Sequence, residues 1–86
     1  MSDKEILQEA INRYGVDAQT DMALEEMSEL TKALLKYRRS GGMNHEDVID
    51  EMVDVEIMLE QLKMMYQILP DDENNYSKHR KFKINR

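Results

Sequence analysis

Two short acidic stretches, Glu25-Glu26-Met27-Ser28-Glu29 and Glu51-Met52-Val53-Asp54, decide how this 86-residue sequence can fold. Each contains two acids spaced three residues apart, which on a helix lie on one side and about one turn from each other. Like charges in this arrangement destabilise a helix by roughly a few tenths of a kcal/mol per pair. Another interaction must offset that repulsion, and a bound divalent cation is the simplest candidate.

Both acid pairs lie on the same flank of the apolar stripe of their helix. At about 100° per residue, Glu26 and Glu51 each come one residue before a stripe methionine, and Glu29 and Asp54 each come two residues after it. The predicted stripes are Ala23, Met27, Leu30, Leu34 and Tyr37, and Val48, Met52, Val55, Leu59, Leu62 and Tyr66.

A short connection containing Ser40-Gly41-Gly42 joins these two helices. Such a connection predicts an antiparallel pair. Packed stripe against stripe, an antiparallel pair brings both acidic flanks to the same side, whereas a parallel pair would separate them. The acid pairs lie at similar distances from the turn, so we expect all four carboxylates to converge.

Helix signals predict an all-α bundle built on a long antiparallel helical hairpin and forming a single domain over residues 1–86. Ser2 and Glu5 fit a capping box at the first helix. Asp17 or Thr20 is expected to cap the second helix, and Asn44 the third. The four predicted helices span about residues 3–14, 18–39, 45–69 and 76–86, with a polar loop at 70–75.

The composition restricts the class of protein. A chain of this size buries only about 60–65% of its unfolded surface. Because the third helix is apolar on more than one face, we expect a homo-oligomer, either a dimer or a tetramer. The sequence has no cysteine, no segment of transmembrane length and no signal peptide, so we expect a cytoplasmic protein with no membrane partner.

The net charge of −6 is distributed unevenly. Five of the twelve Lys and Arg residues lie in residues 78–86, which contain no acid. The remainder of the chain is too acidic for general nucleic-acid binding, so no nucleic-acid partner is expected. A basic end combined with an acidic cluster suits a ligand that carries phosphates and a metal.

Several carboxylates without a thiol favour a hard cation, Mg²⁺ or Mn²⁺. A di-iron site would need Glu-x-x-His on two helices, but Glu29 and Asp54 occupy the corresponding positions. An EF-hand would place its acids on a loop. A solvated helix face with no ligand remains an alternative. Lys32 and Lys36 are expected to pair with Glu29 or to remain solvated, with phosphate contact as the less favoured interpretation.

These motifs resemble those of a known family. The pattern Glu25-Glu26-x-x-Glu29 followed by Glu51-x-x-Asp54 is similar to the signature of the MazG-type all-α nucleoside triphosphate pyrophosphohydrolases, and especially of its small single-domain phage and bacterial members. The resemblance covers most of the chain. It also includes Tyr14-Gly15, Gln19, Glu29-Leu30 and Lys83-x-x-Arg86.

The resemblance implies a Mg²⁺-dependent enzyme, with Mn²⁺ as a substitute, that cleaves a nucleoside triphosphate to the monophosphate and pyrophosphate. The implied role is control or house-cleaning of the nucleotide pool. The implied metal ligands are Glu26, Glu29, Glu51 and Asp54. The implied catalytic residues are Glu25, which would orient water, and Glu26. The resemblance also implies phosphate contacts by Lys81, Lys83 and Arg86 and base contacts by Tyr14 and Gln19.

Two alternatives remain open from the sequence. One is a phosphoribosyl-ATP pyrophosphohydrolase of the same superfamily, which a substrate panel would distinguish. The other is a non-catalytic helical module for oligomerisation or regulation, in which the acids form only a solvated surface. The preferred base and sugar do not follow from the sequence.

Overall fold

The computed structural model describes residues 1–68 and 76–86. These residues form four helices and no strand: α1 (Asp3–Tyr14), α2 (Val16–Ser40), α3 (His45–Met65) and α4 (Tyr76–Asn85). Among the described residues, no helix combines the length and apolar character needed to cross a bilayer. The third helix was predicted to run to about Leu69 but ends at Met65, because Tyr66 is its C-cap and the chain turns at Gln67, which has a positive φ of 57°. The loop predicted at 70–75 lies outside the described residues.

Local signals determine where α1 and α2 begin. The capping box at Ser2 is present, with the Ser2 side chain accepting from the Glu5 amide and the Glu5 carboxylate accepting from the Ser2 amide. Gly15, at φ 91°, ends α1 and directly precedes α2. The expected caps Asp17 and Thr20 were wrong, because this left-handed φ lets α2 begin at Val16, two residues before its predicted start.

The turn between α2 and α3 is held by Asn44. Gly41 ends α2 in the left-handed conformation at φ 67°, and Gly42 follows at φ 87°. Asn44 occupies the N-cap position of α3 but makes no side-chain capping bond. Its buried amide instead donates to the carbonyl of Ala33 on α2, at 3.0 Å. Asn44 therefore ties the two helices together rather than capping α3.

Polar contacts show that α2 and α3 form an antiparallel hairpin. At the open end, Gln19 Nε2 donates to Gln61 Oε1 at 2.7 Å, and the hydroxyls of Thr20 and Tyr66 lie 3.0 Å apart. The bond from Asn44 lies at the opposite end. Helix α1 packs against both helices of the hairpin.

The buried face of α3 is rotated from the predicted stripe. Met52, Leu59 and Tyr66 were expected inside but are 51%, 44% and 55% exposed. Val48, Val55 and Leu62 of the predicted stripe are buried or half-buried, as expected, but they share the face with Glu51, Met58 and Gln61, which were not predicted. The α2 stripe shows a similar change. Leu34 and Tyr37 are exposed, whereas Gln19 and Ala33 are buried.

Much apolar surface remains uncovered in the single chain. Ile49, Met52, Val53, Ile57 and Leu59 of α3 are each more than 40% exposed. Every residue of α4 is exposed, including Phe82 at 71% and Ile84 at 63%. Among the described residues, α3 therefore leaves apolar side chains exposed, and the predicted homo-oligomer stays a prediction.

Candidate metal centre

Three carboxylates from the two central helices meet at the α2/α3 seam. Glu26 of α2 and Glu51 and Asp54 of α3 each offer one oxygen, and these oxygens lie within 4.8 Å of one another. Glu26 and Glu51 are half-buried and Asp54 is exposed. Their convergence follows the prediction from the antiparallel hairpin, although Glu51, which is half-buried, faces α2 more than exposed Met52 does.

The proximity of these acids changes the electrostatics of Glu26. Its pKa is raised above the ordinary value by burial first, then by the charges of Asp54, Glu51 and Glu25, and by a hydrogen bond with Asp54. Each of these effects disfavours the ionised form. The cluster therefore concentrates more negative charge than its surroundings compensate, which favours a cation.

Glu51 supplies an independent indication of a ligand. Among the described residues, its Oε2 atom is the buried side-chain polar atom with no hydrogen-bond partner. A buried acceptor without a partner is costly. Carboxylate oxygens are the ligands that Mg²⁺ and Mn²⁺ prefer. The donor set and the unpartnered oxygen thus fit a hard divalent cation.

Glu29 and Glu25 lie next to this group rather than within it. Glu29, predicted as the fourth metal ligand, is half-buried and lines a neighbouring groove of about 340 Å³ together with Glu51. Glu25 is exposed and contributes to the potential at Glu26. The structure brings together three of the four predicted ligands, and a ligand role for Glu29 stays a prediction.

The groove beside the carboxylates has a cationic side that sequence reasoning largely missed. Its lining residues include Lys32, Lys36 and Arg39 of α2 and Asp47 and Asp50 of α3. Lys32 and Lys36 are exposed, in agreement with the solvated alternative. Arg39 lies in the last turn of α2, where a cation also complements the helix dipole. The spacing of these cations from Glu29, at intervals of three or four residues, was the available signal.

The cations predicted to contact phosphate belong to the C-terminal end of the chain, and this role stays a prediction. Lys81, Lys83 and Arg86 are exposed residues in or just after α4. Helix α4 borders a cavity of about 1080 Å³ whose lining includes Arg80 and, from α3, Glu60. Glu60 is nine residues from Glu51 and therefore about half a helical turn away around α3. In this arrangement α4 and the carboxylates lie on opposite sides of α3.

The two predicted base contacts have different surroundings. Gln19 is 9% exposed, and its amide donates to Gln61 inside the hairpin. Tyr14 is 58% exposed, and the Arg13 guanidinium lies 5.5 Å from the centre of its ring. Gln19 therefore has a structural partner, whereas Tyr14 is accessible. A contact of either with a base stays a prediction.

Comparison with known proteins adds no assignment. No family model, curated protein or solved structure matches this chain.

Proposed function

We propose that this protein is a Mg²⁺-dependent nucleoside triphosphate pyrophosphohydrolase that converts a nucleoside or deoxynucleoside triphosphate and water to the monophosphate and pyrophosphate. The observation that carries the proposal is the convergence of Glu26, Glu51 and Asp54 within 4.8 Å, with a buried Glu51 oxygen lacking a partner. The resemblance of the two acidic motifs to the MazG-type family supplies the reaction class.

Three carboxylates would hold the metal: Glu26 from α2, and Glu51 and Asp54 from α3. Glu29 lies one turn after Glu26 and is proposed as the fourth ligand. When bound, Mg²⁺ neutralises phosphate charge and helps to orient the triphosphate for in-line attack.

The chain's own residues position the water. Glu25 adjoins Glu26 and is exposed, so it can accept a hydrogen bond from a water approaching the α-phosphorus. Attack forms a bond from the water oxygen to the α-phosphorus and breaks the bond from that phosphorus to the bridging oxygen, while the water gives up a proton to the Glu25 carboxylate. Pyrophosphate leaves with the electron pair. No protein nucleophile is required, which suits a chain without cysteine.

Lys81, Lys83 and Arg86 are proposed to stabilise the charge that develops on the departing pyrophosphate. Helix α4 borders a cavity that Glu60 lines on the side of α3 away from Glu51, which favours delivery of these cations by a second protomer. Exposed Phe82 and Ile84 on the same helix would be covered by such an arrangement. Homo-oligomerisation is thus part of the proposed function.

The deciding experiment measures pyrophosphate release from all common nucleoside and deoxynucleoside triphosphates, and from phosphoribosyl-ATP, in the presence of Mg²⁺. We expect one or more triphosphates to be cleaved. Glu51→Gln should lower kcat/KM by at least about a hundredfold, or about 2.7 kcal/mol. Glu60→Gln is the matched control, because Glu60 lies on the opposite side of α3, and it should retain activity.

Three results would contradict the proposal: release of orthophosphate in place of pyrophosphate, equal activity of the Glu51 and Glu60 variants, or no cleavage of any triphosphate. Selective cleavage of phosphoribosyl-ATP would establish the alternative enzyme. A non-catalytic module would show neither turnover nor stabilisation by Mn²⁺.

A further inference from the structure

One side of α2 presents a line of charged residues that begins beside the carboxylate group. Glu29, Lys32, Lys36 and Arg39 follow one another at spacings of three or four residues and line the same groove. Such spacing places all four side chains on one side of the helix. At about 1.5 Å per residue, the line extends roughly 15 Å from Glu29 toward the interhelical turn.

The three cationic side chains of this line do not form ion pairs with the acids on the α3 side of the groove. Asp47 and Asp50 line the groove from α3. Nevertheless, across residues 1–68 and 76–86, Lys32, Lys36 and Arg39 form neither an ion pair nor a hydrogen bond. Exposed ion pairs contribute little and cost side-chain entropy, so the acids do not immobilise them. The cations remain available to a ligand.

The groove combines the two kinds of group that bind a metal–polyphosphate ligand, namely oxygens that ligate the metal and N–H groups that donate to phosphate. Carboxylate oxygens at one end suit a hard cation. Guanidinium and ammonium groups along α2 suit phosphate oxygens, with arginine able to bind two of them at once. Glu51 joins the two parts, because it belongs to the carboxylate group and also lines the groove. Asp47 and Asp50 would repel a bare anion and so favour the metal-loaded form.

We infer that Lys32, Lys36 and Arg39 bind the triphosphate chain of the substrate, which extends from the carboxylates toward the interhelical turn. The identity of the substrate rests on the proposed function. This direction places the α-phosphorus at Glu26, Glu51 and Asp54. The terminal phosphate then lies in the groove between the carboxylates and the turn, where the long side chains of Lys36 and Arg39 can extend to it. The nucleoside then lies toward the open end of the hairpin, where α1 packs. The α2 cations hold the ground-state substrate, whereas the α4 cations are assigned to the leaving group.

The test uses inorganic tripolyphosphate as the probe, titrated by calorimetry into the full-length protein with and without Mg²⁺. Arg39→Gln and Lys36→Gln should each weaken binding in Mg²⁺ by about tenfold, equivalent to about 1.4 kcal/mol. Arg38→Gln is the matched control, because Arg38 is adjacent in sequence, carries the same charge and is not among the residues lining the groove. Its affinity should remain within about twofold of the wild type.

With a cleaved nucleotide, Arg39→Gln should raise KM about tenfold with little change in kcat, as expected for loss of a contact made equally before and during reaction. Stabilisation by Mn²⁺ alone should be unchanged in all three variants, which shows that they are folded.

Equal tripolyphosphate affinity of the Arg38 and Arg39 variants, or no binding by the wild type, would overturn the inference. If pyrophosphate is released but KM is the same in both arginine variants, the groove assignment fails and the proposed function stands. If no nucleotide is cleaved while tripolyphosphate still binds through Arg39, the proposed function fails and the groove stands as a polyphosphate site.

Discussion

At the scale of single residues, Glu26 is a carboxylate whose pKa responds to its burial and to the neighbouring charges of Asp54, Glu51 and Glu25. Its pKa in the folded protein is raised above the ordinary value of 4.5, so folded Glu26 binds a proton more readily than unfolded Glu26. The contribution of Glu26 to stability is therefore complete below pH 4.5 and is lost as the pH rises through the higher pKa of the folded state. The metal-free protein should therefore lose stability from this group across that interval. A cation reverses the penalty by favouring the ionised carboxylate.

Glu26→Gln should consequently stabilise the metal-free protein at pH 7 while abolishing its response to metal. Removing like-charge contacts of roughly a few tenths of a kcal/mol each should raise Tm by about 2–4 °C. Wild type with Mn²⁺ at about 100 times its Kd should gain roughly 2.7 kcal/mol, whereas the variant should gain much less. Thermal melts measure both effects, with exposed Glu9→Gln as a control that should respond to Mn²⁺ like the wild type. A variant that is less stable without metal would contradict this account.

The Gln19–Gln61 bond offers a second test at the residue scale. Gln61→Leu leaves the buried Gln19 amide without its partner and should cost about 1–3 kcal/mol. Gln19→Leu/Gln61→Leu removes both amides and should recover most of that loss. Chemical denaturation of the wild type, both single variants and the double variant measures the coupling. Additive losses would show that the amide pair does not act as a unit. Normal turnover by the double variant would remove Gln19 as a base contact.

At the scale of elements, α4 is predicted to matter for turnover and not for folding. Its residues are all exposed, and one of its contacts with the hairpin is the Lys63 ammonium, 4.4 Å from the centre of the Tyr76 ring. Such an exposed cation–π contact is worth about 0.5–1 kcal/mol. Truncation after Asn75 should thus leave a folded protein with its metal response intact.

The same truncation should lower kcat/KM by about a hundredfold, or about 2.7 kcal/mol, through kcat rather than KM. Lys83→Ala and Arg86→Ala should fold normally and show part of this loss. Unchanged turnover in the truncated protein would remove α4 from the mechanism. Loss of the Mn²⁺ response would show instead that α4 supports the metal site.

At the scale of the whole molecule, the exposed apolar faces of α3 and α4 predict a dimer or tetramer. Light scattering at micromolar concentration should give a multiple of the 10.2 kDa chain mass. A particle of the chain mass would refute the prediction. A second measurement asks whether α4 acts on its own site or on that of a partner.

Mixing two inactive variants tests delivery of α4 between protomers. Glu51→Gln removes a metal ligand, and Lys83→Ala/Arg86→Ala removes cations of α4. If α4 serves a neighbouring protomer, oligomers reassembled from equal amounts of both should contain sites with all groups intact and regain a substantial fraction of activity. If α4 serves its own chain, every site in the mixture lacks one group and activity should stay near background.

The sequence alone determined the helices and the pairing of the two acidic motifs. Spacing, caps and glycines are local properties, so the all-α class and the long α2/α3 hairpin could be predicted, together with the meeting of Glu26, Glu51 and Asp54. In an antiparallel hairpin with a short turn, residues on the same flank of both apolar stripes lie on the same side of the helix pair.

The tertiary structure decided which face of each helix is buried. Met52 fits an apolar stripe better than Glu51, yet Glu51 points toward α2, because packing selects the rotation that fits both helices rather than the most apolar face of one. Packing of the two helices also decided that Glu29 lines the adjoining groove with Lys36 and Arg39, outside the group of three carboxylates. The position of α4 likewise came only from the tertiary structure, since no local pattern specifies where a short, exposed helix will lie.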